Sequence, residues 1–462
     1  MRFSRVVPLL PLASALVITD TEVFQHIEKT GKSVFDNAQN VLDDAFGKAH
    51  DAYDKVKDEA KNIYSKVHDA GCDVDAWLQG SSFDDSVVDS EEDHDHPHHP
   101  PHHGPPHHGK PHHPPHDDKP NRTVYELINE SKYTTKLAKL INEYDDLIKV
   151  LNGTNANYTV FAPTDKAFEK IPDHGKKPSK EALKSILLYH VSDDFYPAGR
   201  VLSSYTIPTL YEPEKNLGHK QRLTVRVTLK GPAINFYSKL VAVNIFGTNG
   251  VVHGVDSILI PPPNVAQIID LLPGEFSTLE LGLGKTGLFD KMNSTSYPHE
   301  GGTFFAPSNF AFQKLGERIN AFLFSKYGEK YLRALLEYHI VVDQTLYSDA
   351  FYDGTKHGDS DDNHAAGPPY YHYDLPTVLS GKYLAVDVAR YGPFATIRIN
   401  GFSRVTIHDG VASDGVIQVV SDVLVPPKNA AGGEQVFWRG EEMSVEELKE
   451  RLAPFVEESS EL

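Results

Sequence analysis

The sequence predicts two copies of one domain that contains both strands and helices, and two observations support this. The repeated motifs lie about 144 to 165 residues apart, which is too long for a solenoid repeat and typical of a whole domain. Three motifs also occur twice in the same order. TVFAPTDKAFEKI at 159–171 is matched by TFFAPSNFAFQKL at 303–315, LLYHV at 187–191 by LEYHI at 336–340, and GVVHGVDSILIPP at 250–262 by GVIQVVSDVLVPP at 415–427.

The first motif predicts a strand followed at once by a helix. Its β-branched and aromatic residues favour a strand, which Pro163 and Pro307 end in the two copies. A hydroxyl or carboxylate residue that follows the proline can cap a helix. We therefore expect Thr164 or Asp165 to cap the helix of the first copy and Ser308 to cap that of the second.

The second motif ends an apolar helical run in both copies, with Tyr189-His190 in the first and Tyr338-His339 in the second. A histidine at this place interacts favourably with the helix dipole, so a packing role is one interpretation and contact with a ligand or partner is the other. The third motif predicts closing strands, because its β-branched residues run into consecutive prolines that cannot continue a ladder. Each domain is therefore expected to end at its prolines, near residues 262 and 427.

In this order and at these separations the three motifs resemble those of the fasciclin domain family, over about two thirds of the chain. The resemblance implies compact α+β domains at 122–262 and 263–427, each a β-wedge with helices packed at one side. It also implies a secreted or surface adhesion protein. In animal members the YH region is implicated in integrin binding. The corresponding residues here are Leu187, Leu188, Tyr189, His190, Val191, Tyr338 and His339.

Residues 1–19 predict a secretory signal peptide. Two arginines precede a short apolar run, and Ala13 and Ala15 form a small-residue cleavage pattern. A buried helix start is the alternative interpretation, which Pro8 and Pro11 disfavour. No later stretch is long and apolar enough to predict a membrane span. We expect the secretory pathway, with an extracellular or cell-surface location, and the vacuole lumen as the alternative.

Five Asn-x-Ser/Thr triplets agree with that compartment, because such triplets accept N-linked glycans in secreted proteins. They are at Asn121, Asn129, Asn152, Asn157 and Asn293. Cys72 is the only cysteine, so an intramolecular disulfide is excluded and packing must stabilise the domains.

Residues 20–75 predict a long amphipathic helix. Helix breakers are scarce in this segment, and apolar positions recur every eleven residues, which keeps one stripe on one helix face. The stripe has to be buried. Docking on the chain's own domains or self-association is one interpretation, and binding to a lipid surface is the other, although many alanines make the apolar face shallow.

Residues 81–120 change from an acidic patch to a tract of histidines and prolines, which predicts a disordered linker because proline blocks both helix and sheet. A plain spacer is one interpretation. Weak binding of Zn, Cu or Ni by paired imidazoles is the other, and near pH 5 most of these imidazoles would be charged and unable to bind metal. The four pairs are His98 and His99, His102 and His103, His107 and His108, and His112 and His113.

The second copy departs from the first in three respects. Gln418 stands where the first copy has His253. Residues 428–462 are expected to form an acidic C-terminal tail. A polar insertion at about 347–376 predicts a surface loop, with divalent-cation binding as the alternative. The candidate ligands in it are His357, Asp359, Asp361, Asp362, His364 and His372.

Charge and motifs argue against nucleic-acid binding and catalysis. The formal net charge of -19 would repel a phosphate backbone. GLGKTG at 282–287 has the spacing of a nucleotide loop, but no strand precedes it, and we expect it to end a helix capped by Ser277 or Thr278. HExxH and GxSxG motifs are absent. The sequence therefore predicts binding to a cell-surface or matrix protein or glycan, with metal or lipid binding in a lumen as the alternative.

Overall fold

The computed structural model describes residues 74–79, 120–153, 157–171, 178–213, 216–228, 231–293, 299–355, 370–391, 394–429 and 435–458. These residues form two domains in tandem, each with a seven-stranded sheet and a set of short helices. Within the described ranges no helix combines the length and the apolar character that a membrane crossing requires.

The first domain begins with helices, continues through a strand and helix corner, and ends in a strand meander. Its helices are α1 (Val74–Gln79), α2 (Val124–Glu130), α3 (Thr135–Ile141), α4 (Asp145–Asn152), α5 (Asp165–Glu169), α6 (Lys180–Tyr189) and α7 (Ala198–Ser203). Its strands are β1 (Tyr158–Pro163), β2 (Val191–Ser192), β3 (Thr206–Pro208), β4 (Arg222–Thr228), β5 (Gly231–Ile234), β6 (Ser238–Gly247) and β7 (Gly250–Val255).

The second domain repeats this order and adds a helix at its end. Its helices are α8 (Val265–Leu271), α9 (Pro273–Lys285), α10 (Leu288–Met292), α11 (Asn309–Leu315), α12 (Glu317–Leu323), α13 (Glu329–Glu337) and α14 (Val445–Glu458). Its strands are β8 (Gly302–Pro307), β9 (Ile340–Val342), β10 (Gln344–Leu346), β11 (Phe351–Asp353), β12 (Tyr370–Pro376), β13 (Tyr383–Tyr391), β14 (Phe394–Ile399), β15 (Ser403–Ala412), β16 (Gly415–Val420), β17 (Lys428–Asn429) and β18 (Gln435–Val436).

The two large sheets have the same topology. Their strand orders are β2-β1-β7-β6-β5-β4-β3 and β9-β8-β16-β15-β14-β13-β12, so each strand has a counterpart in the other domain. In both sheets the strand of the first motif pairs in parallel with the strand of the third, whereas the other pairs are antiparallel. The prediction of two tandem α+β domains is confirmed.

The N-cap residues predicted from the sequence are confirmed only in part. Ser308 caps α11, since its hydroxyl accepts a hydrogen bond from Ala311 N at 3.2 Å. Thr164 precedes α5 without a side-chain cap bond, and Asp165 instead accepts from Lys136 N at 2.8 Å in the first turn of α3.

The expected cap of α9 at Ser277 or Thr278 is wrong, because the helix already begins at Pro273. Proline suits the first turn of a helix, where its missing N–H leaves no bond unmade. The side chain of Asn309 inserts into this turn, where its amide donates to Gly274 O at 3.1 Å and accepts from Thr278 N at 2.9 Å. The first four residues of the GLGKTG segment are the last turn of α9, and the segment ends at Gly287, just before the five-residue α10. It follows a helix and not a strand, so it lacks the strand and loop of a phosphate-binding loop.

Helix α1 attaches the segment before the histidine tract to the first domain. Trp77 is 1% exposed, and its indole N–H donates to Leu127 O at 3.1 Å. A side chain at Gly254 would meet the Trp77 ring at 3.0 Å, so this glycine makes room for the indole. The predicted helix at 20–75 lies outside the described residues apart from its last two positions, and the predicted linker at 81–120 lies outside them apart from Pro120.

The described residues at 435–458 pack on the second domain and do not form a separate acidic tail, which corrects the sequence expectation. Trp438 and Met443 enter the core of the second domain, and Leu448, Leu452 and Val456 on α14 do the same. These apolar positions recur at helical spacing within an acidic segment, and burying them stabilises the helix against the domain. The acidic composition obscured this amphipathic pattern.

Candidate functional site

The tyrosine and histidine of the second motif lie in the core of both domains. Tyr189, Tyr338 and His339 are 0% exposed, and His190 is 2% exposed. Leu188, the fifth residue predicted to contact a partner, is half-buried, whereas its neighbours Leu187 and Val191 are buried. The four aromatic side chains thus present no surface to a binding partner.

Each histidine of the motif connects its helix to the closing segment of the domain. His190 Nδ1 lies 2.7 Å from Ile186 O, and its Nε2 accepts a hydrogen bond from Leu259 N at 2.9 Å. Nδ1 therefore carries the proton in the neutral ring. Burial lowers the pKa of His190 to about 4, so the ring is neutral near pH 7.

His339 makes the same two contacts in the second domain. Its Nδ1 lies 2.8 Å from Leu335 O, and its Nε2 accepts from Leu424 N at 2.9 Å. Burial likewise lowers its pKa to about 4. Both histidines bond to the backbone through both ring nitrogens, so a role in folding accounts for the residue type and its spacing.

Each tyrosine of the motif connects the same helix to a turn of the sheet. Tyr189 OH accepts from Asn235 Nδ2 at 2.9 Å, and Tyr338 OH accepts from Asn400 Nδ2 at 3.0 Å. Both asparagines have a positive φ, 51° for Asn235 and 52° for Asn400, which asparagine tolerates better than most residues. The two asparagines occupy the equivalent hairpin turn of each domain, between β5 and β6 and between β14 and β15, in the similar sequences INFYS at 234–238 and INGFS at 399–403. This shared pattern was the available sequence signal for the two partners.

His253 and Gln418 perform the same structural task at one position of the sheet. The strand register pairs them with Phe161 and Phe305, which are themselves equivalent. His253 Nδ1 accepts from Asn244 N at 3.3 Å, and its Nε2 lies 2.8 Å from Tyr196 O.

Gln418 reproduces this pair of bonds with its amide. Its Oε1 accepts from Asp409 N at 3.1 Å, and its Nε2 donates to Leu346 O at 2.9 Å. The glutamine amide also donates to the Asp409 carboxylate at 3.1 Å. The change from histidine to glutamine therefore preserves one acceptor and one donor, and it does not mark a lost binding residue.

The domains meet in a polar joint centred on Arg222, whose guanidinium lies in β4 of the first domain. The group donates to Thr206 Oγ1 at 2.6 Å and to Tyr352 OH at 2.7 Å, and it lies 3.8 Å from the Asp349 carboxylate. The Arg222 side chain is only 5% exposed, so Asp349 neutralises a charge that is almost fully removed from water.

Asp349 also binds the backbone of the first domain. Its carboxylate accepts from Tyr205 N at 3.0 Å and from Thr206 N at 2.7 Å. Gln221 adds a buried bond from its amide to Ala412 O at 2.8 Å, and Arg226 donates to His408 O. These bonds join β4 and its neighbours to the second domain.

His219 and two tyrosines complete the joint. The His219 ring stacks on Tyr352 with centroids 3.8 Å apart and lies edge-on to Tyr347 at 5.8 Å. Burial lowers the pKa of His219 to about 4, and the nearby Arg222 charge adds to this effect. The first residues of the predicted polar insertion thus line a buried contact instead of a surface loop.

Sequence reasoning missed the joint. The available signal was the alternation in β4, which places Arg222 and Arg226 on one face of a strand. Two arginines on one face of a short strand predict a charged contact, although nothing in the sequence names the acidic partner.

His372 is the one candidate metal ligand of the polar insertion that lies among the described residues. His372 is on β12, where its Nδ1 lies 2.7 Å from Asp387 Oδ1, and this contact raises the pKa of the histidine. Over the described ranges no three histidine, cysteine or acidic side chains are grouped as a metal site. The other candidate ligands of the insertion lie outside the described residues, namely His357, Asp359, Asp361, Asp362 and His364.

The paired histidines of the tract before the first domain likewise lie outside the described residues. Metal binding by this tract therefore stays a prediction from composition. The eight are His98, His99, His102, His103, His107, His108, His112 and His113.

A small cavity of about 60 Å³ opens in the second domain between α8, α10 and strands β8 and β9. Its wall is mostly apolar, with Met292 and Phe304 among the lining residues, and the Asp414 carboxylate is part of the lining. Burial raises the pKa of Asp414. A cavity of this size holds a short aliphatic group and is smaller than the roughly 150 Å³ in which a benzene ring binds.

All five asparagines of the glycosylation triplets are exposed. Four of them lie in the first domain, and Asn293 lies in the second. Exposure is compatible with an attached glycan in each case.

Comparison with known proteins agrees with this architecture. A relative from Gibberella zeae, Aurofusarin biosynthesis cluster protein S, is 29% identical over 362 residues, which cover 73% of this chain and 87% of that protein. Transforming growth factor-beta-induced protein ig-h3 from Oryctolagus cuniculus is 26% identical over 286 residues, covering 61% of this chain and 35% of that protein. Fasciclin-1 from Schistocerca americana is 25% identical over 199 residues, which cover 41% of this chain and 29% of that protein.

The chain thus spans about a third of the length of the ig-h3 relative and less of Fasciclin-1. Among solved structures, a FAS1 domain pair from the insect cell adhesion molecule fasciclin I matches 63% of this chain and 96% of that chain, with 19% identity and a TM-score of 0.31. Because this TM-score is low, the family assignment rests on the sequence match.

The family model for the Fasciclin domain matches residues 132–261 and 274–426, which is more than half of the chain. The chain therefore belongs to the fasciclin domain family and carries two copies of its domain.

Proposed function

We propose that this chain is a secreted, non-catalytic protein that binds a protein or glycan of the cell surface or matrix, with its two domains acting as one unit. The joint around Arg222 and Asp349 is the observation that carries the proposal. An almost fully buried arginine holds the two domains in one orientation, because separating them would expose the ion pair and break several buried hydrogen bonds. A fixed orientation creates a composite surface that neither domain has alone.

The bonding of the buried histidines supports a non-catalytic role. Both ring nitrogens of His190, His253 and His339 contact backbone groups, so these rings are not free to take a proton from a substrate. Burial also keeps their pKa values near 4, below the range that suits a general base at neutral pH.

The partner would contact surfaces other than the buried YH side chains. Leu188 is the half-buried member of that motif, and the second domain exposes Leu281, Phe310 and Tyr327 on or beside its helices, with exposures of 61%, 52% and 71%. Exposed aromatic and aliphatic groups of this kind are common anchors in protein interfaces. The net charge of -19 favours a neutral or basic partner.

The test uses the full chain with its own N-terminus, expressed in a eukaryotic host and tagged at the C-terminus. We expect the protein in the medium and on the cell surface, and we expect the purified protein to coat cells or immobilised matrix. Asp349→Ala should weaken this binding, whereas Asp290→Ala, which removes an exposed carboxylate of the same domain, should not. A folded, secreted chain that retains no surface protein or polysaccharide would contradict the proposal.

The alternative of metal or lipid binding in a lumen rests on residues 20–73 and 94–119, which lie outside the described ranges. No contact among the described residues favours it. Localisation of the tagged chain separates the two functions, because a vacuolar protein has no access to a matrix partner.

A further inference from the structure

Two histidines, one from each domain, lie in the joint with a ring nitrogen that no described protein group binds. His219, just before β4, is 7% exposed, and its Nδ1 lies 2.8 Å from Lys220 O. Its Nε2 is buried and has no hydrogen-bond partner among the described residues. His408 on β15 also has a buried Nε2 without such a partner. Buried polar groups are seldom left unpaired, so these two nitrogens require an explanation.

The surroundings of His219 favour its neutral form. Because Nδ1 donates to Lys220 O, Nε2 is the nitrogen that accepts a proton. The ring is enclosed by Tyr352, on which it stacks, and by Tyr347 at its edge. Burial lowers the pKa of His219, and the charge of Arg222 adds to this effect. A proton on Nε2 therefore places a second positive charge beside the buried guanidinium.

His408 has the same relation to the other arginine of β4. Its backbone oxygen accepts a hydrogen bond from the Arg226 guanidinium across the joint. Burial lowers the pKa of His408 and Arg226 adds to this effect, whereas the Asp409 carboxylate opposes it. Each of the two histidines is thus a neutral ring beside an arginine that joins the domains.

The joint already contains more positive than negative charge when both histidines are neutral. The described residues contribute three guanidinium groups and two carboxylates, which belong to Arg222, Arg226, Arg390, Asp349 and Asp409. Both carboxylates are engaged, since Asp349 accepts two backbone bonds and Asp409 accepts from Ser348 N at 2.7 Å. Tyr205, Tyr347 and Tyr352 also face the joint and carry no charge in acid. Lys220, Asp193 and Glu300 have exposed side chains at its margin.

We propose that His219 and His408 form a pH switch in the joint, whose protonation opens the contact between the two domains. The domains then hold one orientation at neutral pH and separate in acid, where each ring gains water and a proton. The consequence for binding rests on the proposed function, because the composite surface is lost when the joint opens and a partner is released. The opening itself does not depend on that function.

The direction and size of the effect follow from proton linkage. An exposed histidine has a pKa near 6.5, whereas the pKa of His219 in the closed joint is about 4. The open joint therefore binds more protons between these values, and the closed joint loses stability as the pH falls from about 6.5 towards 4. At pH 5 the titration of His219 alone lowers the equilibrium constant for closing by about 30-fold relative to pH 7.5.

The test is hydrogen–deuterium exchange of the full chain at pH 7.5, 6 and 5, with each rate divided by the intrinsic rate of an unstructured amide at that pH. The reporters are the amides of Tyr205 and Thr206, which donate to Asp349 across the joint. We expect their protection to fall by about 30-fold or more between pH 7.5 and 5. We also expect them to exchange faster than Phe161 N and Phe305 N, whose bonds lie within the domains.

Two variants remove the titration of His219 with different structural side effects. His219→Asn keeps an amide that can donate to Lys220 O, and His219→Phe keeps a ring that can stack on Tyr352. Both should reduce the acid response of the two reporter amides by about 30-fold, whatever their protection at pH 7.5. Adding His408→Asn should reduce the response further. His253→Gln is the matched control, because it removes a buried histidine of the first domain away from the joint and should leave the response unchanged.

An acid response in both His219 variants equal to that of the parent chain would overturn the switch. Reporter amides that exchange no faster than Phe161 N and Phe305 N would overturn it as well, because the joint would then open only when the domains unfold. Failure of the chain to bind any surface partner counts against the proposed function alone, since the exchange measurement needs no partner. A joint that stays closed in acid leaves the proposed function standing, because that function needs a closed joint only at neutral pH.

Discussion

The guanidinium of Arg222 in the first domain lies 3.8 Å from the carboxylate of Asp349 in the second. The carboxylate also accepts two backbone hydrogen bonds from the first domain. A charge as buried as that of Arg222 requires a partner, since the desolvation of an isolated ion costs several kcal/mol. The pair therefore specifies how the two domains sit against each other.

Asp349→Ala should destabilise the joint by about 3 to 5 kcal/mol, because it leaves Arg222 buried without an anion and two N–H groups without an acceptor. The measurement is chemical unfolding together with small-angle X-ray scattering, in which a loosened joint increases the radius of gyration. Asp146→Ala is the control. It breaks the exposed pair of Asp146 with Lys184 within the first domain and should cost less than about 1 kcal/mol. Equal effects of the two variants would argue against a structural role for the joint.

His253→Gln should be well tolerated, because Gln418 makes the equivalent bonds in the second domain. We expect a loss of less than about 1.5 kcal/mol in the free energy of unfolding at pH 7. His253→Leu should cost more, at about 1 to 3 kcal/mol for each of the two buried backbone groups left unpaired, Asn244 N–H and Tyr196 C=O. Urea unfolding at pH 7 compares the two variants, and a glutamine variant as unstable as the leucine variant would disprove the equivalence.

Stability should fall as the pH is lowered from about 6.5 to about 4. Burial lowers the pKa to about 4 for His190, His219, His253 and His339, whereas an unfolded histidine has a pKa near 6.5. Between these values the unfolded chain binds more protons than the folded chain, so protonation favours unfolding. Each histidine contributes at most about 1.4 kcal/mol for each pH unit in this window.

The same His253→Gln variant isolates one of these contributions. The slope of the unfolding free energy against pH between 4 and 6.5 should be smaller in the variant than in the parent chain. The difference should be at most the contribution of a single histidine to that slope. Carboxylates titrate alike in both proteins and cancel in the difference. Identical slopes would mean that the pKa of His253 is the same in the folded and the unfolded chain, which would contradict the effect of burial.

Trp77→Ala should destabilise the first domain by about 3 to 5 kcal/mol, because it leaves a cavity between α2 and Gly254. Trp438, the other tryptophan of the chain, is buried in the second domain and remains as a fluorescent reporter there. We therefore expect early loss of first-domain structure by circular dichroism, before the Trp438 signal changes. Tyr327→Ala, which removes an aromatic ring that is 71% exposed, should have almost no effect.

The repeat could be predicted from the sequence because its signals are local. A strand, a proline and a capping residue within about ten positions predict the corner that β1 and α5 form in one domain and β8 and α11 in the other. The same holds for the closing strands β7 and β16. These elements depend on residues close together in the chain, and for this reason both copies were identifiable despite their different side chains.

The candidate site was harder to predict, because its contacts join residues far apart in the chain. The YH pair was visible in the sequence, but its burial depends on Leu259 and Leu424, which lie about 70 and 85 positions away. The acidic composition after residue 427 suggested a tail, whereas the core of the second domain selects the apolar face of α14.

By itself the sequence determined that this protein has two α+β domains of one family, since the order and spacing of motifs are properties of the chain. The tertiary structure alone decided what those motifs do. Arg222 and Asp349 are 127 positions apart, and only the packing of one domain on the other removes both from water and makes their attraction strong. Burial likewise assigns His190 and His339 to the core, because exposure is a property of the fold and not of the residue type.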